Sequence, residues 1–351
     1  MFARGIYFGS VPYIQNVLNV FSDDFINKVL LLWIMFQRKL VKSGLSSHVI
    51  ALPKEFIDEN KLSAGDTVYL EKTRPGEMSV KADFKDKKSD SDHKVKEIVV
   101  GSRPISHIHY DIIEAYLNNY NEIIIRCNNP AEVKTVKDFI GYLVALEVVQ
   151  EDNNKVVAKD YLNYKDKEID RTIRRIESIV CSMIVDLKAI KDDPAMASAI
   201  YERDYHVNRM GFLAMRILHS ASKDPSLASH LGLGMRDIMR LWSANIYLEK
   251  IGDECKRMGK FIESMDKKKY DMRALDRLLD DMLDLYRKTF IAIHGLDKDL
   301  MSVNIGRRKQ IAQFFDKKES RRTATPEVLS LMDQMLSHLA DINRIYRYTG
   351  E

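Results

Sequence analysis

Cysteine is scarce. The 351 residues hold three, Cys127, Cys181 and Cys255, far apart and with no C-x-x-C pair. That spacing excludes a disulfide framework and a zinc knuckle, and it fits a reducing, cytoplasmic setting. Glycine (15) and proline (8) are too few for collagen-like or low-complexity sequence. Long apolar runs are missing as well: VLLLWIMF at 29–36 is eight residues long and Arg38 and Lys39 follow it closely, whereas a membrane span needs about 20. No span is expected. Nor is there an excess of one charge, because Lys+Arg 55 against Asp+Glu 51 leaves +4. Any nucleic-acid surface must therefore be a local concentration of bases. Catalytic signatures are also absent: there is no Walker loop, G-x-S-x-G, H-E-x-x-H or dinucleotide fingerprint, and LGLGM at 231–235 reads as a joining loop. The chain reads as a non-enzyme.

What remains is a multi-domain, mainly α protein whose texture changes along its length. Residues 1–34 carry no signature and Met35 opens the recognisable sequence, so they are expected to be an N-terminal extension of unknown role. Residues 35–84 read as short strands with turns. The run 85–96, KDKKSDSDHKVK, has Asp or Lys at eight of twelve positions and reads as a solvated linker. Residues 97–164 read as a small α/β segment, with strands at 122–127 and 154–162 and a helix from Ala131 to Leu146. From 165 to 351 the period is helical. Ile173, Ile176, Val180, Met183 and Leu187 form the first apolar stripe, and further helices are expected around 198–220, 235–267, 273–294, 297–316 and 326–347. Six helices suggest two three-helix bundles. Laying 247–262 on 335–348 brings Asp253 onto Asp341, as a duplication over about 166–267 and 271–349 would.

Two places carry chemistry. Between Gln37 and Lys54 stand Arg38, Lys39, Lys42 and Lys54 with no acid. Clustered bases meet DNA phosphates, and Ser43, Ser46 and Ser47 are short polar groups suited to base edges; the plainer reading is a sheet edge protected by charge. In the helical part, Glu202 and Asp204 precede Asn208, while Glu249 and Asp253 lie four apart on one helix face. Carboxylates so spaced on facing helices build metal sites, and they equally make solvated surfaces. His206 beside them, and His107 and His109 without a carboxylate or cysteine partner nearby, read as structural or exposed.

Residues 36–72, with RK at 38–39, GLSS at 44–47, ALPK at 51–54 and L-x-x-G-D at 62–66, resemble the AbrB-like (SpoVT-AbrB, swapped-hairpin) domain. LEKIGD at 248–253 and RDYHVNR at 203–209 resemble PhoU, the regulator of high-affinity phosphate transport. The order of the two is similar to that of archaeal phosphate-uptake regulators, closely over about 36–265 and loosely over 270–349. The resemblance implies a swapped-hairpin homodimer that contacts DNA through Arg38, Lys39, Lys42, Ser43, Ser46 and Ser47. It also implies a PhoU-like body that senses through a phosphate-transporter subunit, a sensor protein or a metal ion held by Glu249, Asp253, Glu202 and Asp204. Asn208 stands where that pattern usually has Asp, and Ser337 where a duplicated motif wants Glu, which removes charge a hard cation needs. The second reading is a PhoU-type protein that restrains a transporter by direct contact, its head only dimerising. A metal-storage role is disfavoured by Asn208 and Ser337.

Overall fold

The computed structural model describes residues 36–44, 47–74, 76–82, 93–162 and 169–349. The N-terminal extension 1–34, Ser46 and most of the 85–96 linker lie outside the described residues. Two units divide between Asp92 and His93.

In the first unit, β1 (Val41–Ser43) and β2 (Ser47–Val49) form an antiparallel ribbon. Gly44 turns its corner at φ +79°, a left-handed conformation that glycine adopts without steric cost. A short helix, α1 (Lys54–Glu59), leads to a second antiparallel ribbon, β3 (Tyr69–Arg74) with β4 (Glu77–Lys81). No residue of 36–82 whose burial is described is buried. Two-stranded ribbons have too little apolar face to build a core alone.

The second unit begins with an α/β layer: β5 (Val95–Val99), α2 (Ile105–Leu117), β6 (Glu122–Arg126), α3 (Pro130–Ile140), β7 (Leu146–Asp152) and β8 (Lys155–Asp160). The strand order is β5-β6-β8-β7, with β5 parallel to β6 and the other pairs antiparallel. Ile108, Ile112 and Val136 of the helices pack with Ile123, Ile125 and Val156 of the sheet. β5 starts within the residues read as linker. The helix expected to reach Leu146 stops at Ile140, and Ala145, in a left-handed conformation at φ +66°, turns the chain into β7.

The rest is helical: α4 (Ile169–Ala189), α5 (Ala195–Lys223), α6 (Pro225–His230), α7 (Met235–Ser264), α8 (Met272–His294), α9 (Lys298–Phe315), α10 (Ser320–Thr323) and α11 (Pro326–Thr349). Asp271 and Asp297 cap α8 and α9, accepting hydrogen bonds from Arg273, Ala274 and Leu300 main-chain N–H groups. Helices α4, α5 and α7 pack on one another, as do α8, α9 and α11. The two sets meet along a seam where α7 lies against α11 and α4 against α8. One core crosses that seam, from Ile169 to Tyr346. Gly252 on α7 lets Val207 of α5 approach to 3.4 Å of where a Cβ would stand.

Arg216 of α5 ties the α/β layer to this body. It has no exposed side-chain surface. Its guanidinium donates to both Asp160 oxygens, at 2.9 and 2.6 Å, and Nε donates to Asn119 Oδ1 at 3.0 Å. The Tyr116 ring lies 4.3 Å beneath it. Removing one partner of a buried, bidentate pair strands the other charge. Arg216→Ala is therefore expected to lower unfolding free energy by about 3–5 kcal/mol, and Arg216→Met/Asp160→Leu by much less. Urea denaturation measures both, and a loss below about 1 kcal/mol in the single variant would remove Arg216 from this role.

Candidate functional site

The bases of the first unit sit on the β1–β2 ribbon. Side chains alternate across a strand, so partners directly opposite share a face. Lys42 faces His48 on one side, while Val41 faces Val49, and Ser43 faces Ser47, on the other. The six residues expected to meet DNA are thus not one surface. Lys42 stands on the opposite face from Ser43 and Ser47, and Ser47 Oγ donates to the Ser43 carbonyl. Arg38, just before the ribbon, donates to the Gln37 carbonyl at 3.0 Å and lies 5.6 Å from the Phe36 ring. Ser46 is outside the described residues. His48, opposite Lys42, is an additional member that charge counting passes over.

The acidic motifs come together only in part. Asp204 of α5 is buried at 6 % exposure, whereas Glu202, two residues earlier, is exposed and belongs to another face. Between α5 and α7 the Lys256 ammonium donates to Asp204 Oδ2 and to Asp253 Oδ1, each at 2.6 Å. Asn208 Nδ2 also reaches Asp204 Oδ2, at 3.4 Å. Burial pushes the Asp204 carboxyl up and the Lys256 hydrogen bond opposes this. Burial, then the neighbouring Asp253 and Asp204, raise Glu249, which has no hydrogen-bonding or ion-pair partner among the described residues. The cationic position between the two helices is taken by Lys256. Among the described residues, no group of three or more His, Cys, Asp and Glu side chains is placed to hold a metal ion. As arranged, the donors fit an internal ammonium and do not converge on an open point for a hard cation.

At Asp341, the position that the sequence alignment lays on Asp253, an aspartate again pairs with a base three residues on. Asp341 accepts from Arg344 at 2.5 Å, three residues on, as Asp253 does from Lys256. His206 is exposed, its ring edge-on to Tyr205 at 5.6 Å. His109 stacks on Phe139 with centroids 4.0 Å apart, and burial lowers its pKa, while His107 is exposed. These histidines serve packing or solvent. Sequence reading missed the polar junction around Arg216, where a cavity of about 650 Å³ is lined by Lys94, Asn118, Asn119, Tyr120, Ser220 and Lys223.

Lys256→Met strands Asp204 between two helices and should cost about 3 kcal/mol, largely recovered in Lys256→Met/Asp204→Asn. Because the Asp204 pKa is already raised by burial, its stability contribution is greatest when it is protonated. The deficit of Lys256→Met should therefore widen as pH rises above the ordinary aspartate pKa of about 4. Urea titrations across that range test the sign, and a deficit that shrinks with rising pH would show that Asp204 does not depend on Lys256.

Comparison with curated proteins and with solved structures gives no match. Among protein families, residues 173–262, which include Asp204, Glu249, Asp253 and Lys256, match PhoU, described as the PhoU domain, and the helical body is PhoU-like over those residues.

Proposed function

We propose that this protein regulates phosphate uptake, binding DNA as a homodimer through residues 36–82 and receiving its signal through the PhoU-like body. The PhoU match over 173–262 supports the regulatory part. The resemblance of the head to AbrB-like domains supports the DNA-binding part, and one observation supports the pairing of two heads: the head buries none of the residues whose burial is described, leaving Val41, Val49, Leu70 and Met78 49–63 % exposed. A second copy laid on the Val41/Val49 face supplies the missing core. Lys42 and His48 then remain outward, with Arg38 and Lys39 nearby, and the bases of both protomers are available to phosphates. Ser43 and Ser47 shape the turn in this arrangement. Lys256 serves as the resident cation of the acidic motif, so the body works without a metal ion at Asp204 and Asp253.

Binding to DNA fragments from the protein's own genome at two salt concentrations tests this. Wild type should shift fragments in a salt-dependent, sequence-preferring way. Lys39→Ala/Lys42→Ala removes up to four phosphate contacts per dimer and should flatten the log–log salt slope by about 3–4. Absence of a shift at low salt would overturn DNA binding and leave the head as a dimerisation element. Metal analysis of the purified protein beside Glu249→Ala/Asp253→Ala should find no difference; stoichiometric metal lost in the variant would overturn the role given to Lys256.

A further inference from the structure

A second polar cavity, of about 190 Å³, lies on the seam of the helical body. Asp170, Arg174 and Glu177 of α4 and Arg240 of α7 line it from the first helical set, and His294 of α8 and Tyr346 of α11 from the second. Three features set it apart from a surface dent. Tyr346 is buried at 8 % exposure, yet its hydroxyl has no hydrogen-bonding partner among the described residues. Arg240 Nε is buried and likewise unsatisfied, although the same guanidinium donates to Asp237 at 2.5 Å and lies 5.1 Å from the Tyr346 ring. Arg174 is exposed at the mouth and has no ion-pair or hydrogen-bonding partner among the described residues. Of these donors Arg240 Nε is the one shut off from water, and an unmade buried hydrogen bond costs more than a made one gains, so an acceptor beside it is favoured; the Tyr346 hydroxyl and Arg174 open onto the same cavity and can donate to it as well.

The carboxylates narrow the choice. Glu177 is held by His294, 2.7 Å from Oε2 to Nε2, and Asp170 stands on the same wall. Two guanidiniums and a phenol ask for an oxyanion, and planar guanidiniums match tetrahedral oxyanions well. Two acids on the same lining repel a bare anion but accept a hydrogen bond from one that keeps a proton. Burial raises the Tyr346 pKa well above the ordinary phenol range, so this hydroxyl stays a donor. At about 190 Å³ the cavity has room for such an ion together with ordered water.

We propose that this cavity is a binding site for inorganic phosphate in its protonated forms, and that the ion joins the two helical sets across their seam. Arg174, Arg240 and the Tyr346 hydroxyl donate to its oxygens, and Glu177 or Asp170 accepts its proton. The site is the point at which phosphate itself acts on the body. It rests on this cavity alone and is independent of whether the head meets DNA. The larger cavity beside Arg216 carries no comparable preference, because α2 and α5 both end there and its lysines balance their carbonyl ends.

Calorimetric titration of the full chain with inorganic phosphate, in a buffer free of other oxyanions, tests the site. Saturable binding with a rise in melting temperature is expected, and sulfate, which has no proton to give at neutral pH, should bind at least about tenfold more weakly. Tyr346→Phe and Arg174→Gln should each weaken phosphate binding about tenfold or more while leaving the ligand-free melting temperature near wild type. Arg174 is exposed, so its variant remains informative if Tyr346→Phe disturbs the core. No saturable binding, unchanged affinity in Arg174→Gln, or sulfate binding as tightly as phosphate would each overturn the proposal.

Discussion

A guanidinium with no exposed surface has to be matched in place, and the attachment of the α/β layer to the helical body depends on how Arg216 meets that demand. Desolvating a charge costs several kcal/mol even after relaxation, so both oxygens of a carboxylate and a carboxamide are brought to it. Asn119 accepts a left-handed φ of +57° to be there, a conformation asparagine tolerates better than most residues. The requirement fixes the end of β8, the turn after α2 and the last third of α5 relative to one another. Hydrophobic contact between the layer and α5 is non-directional and would not do this alone.

The same logic, less deeply buried, governs the acidic motif. Two aspartates on adjacent helices require a cation between them, and the chain answers with its own lysine. On α11, Asp341 likewise accepts from an arginine three residues on, Arg344. What the two halves share is the aspartate with its base three residues on. In the first set that base also reaches Asp204 of a neighbouring helix. The seam cavity is the contrasting case, where Arg174 and Arg240 from one set and Tyr346 from the other line one space and Arg240 Nε has no acceptor among the described residues.

Much of the body was legible because its signals are local. Stripes such as Ile173, Ile176, Val180, Met183 and Leu187 state the helical period outright, and breaks such as Asp193-Pro194 and Gly295 state the ends. The α/β layer was harder. β7 is an edge strand with only Leu146 buried, so LEVVQED has neither the alternation nor the apolar run by which strands are read. β5 was hidden by its lysines, which continue the linker composition. In the acidic motif the residue types and spacings were visible, but a lysine three residues after an aspartate reads the same on a solvated surface as in a cluster. For Arg216 no signal existed, because its partners lie 56 and 97 residues away.

The single core that crosses the seam has a consequence for any shortened product of this chain. Met258 and Ile262 of α7 and Met335, Leu339 and Ile342 of α11 belong to one buried cluster, so neither helical set is finished by itself. A product ending after α7 would present that stripe to solvent as a contiguous apolar patch, which soluble monomers seldom tolerate. The two helical sets are thus obligate partners in folding: chaperones and proteases would meet a truncated body as damaged protein rather than as a smaller working unit.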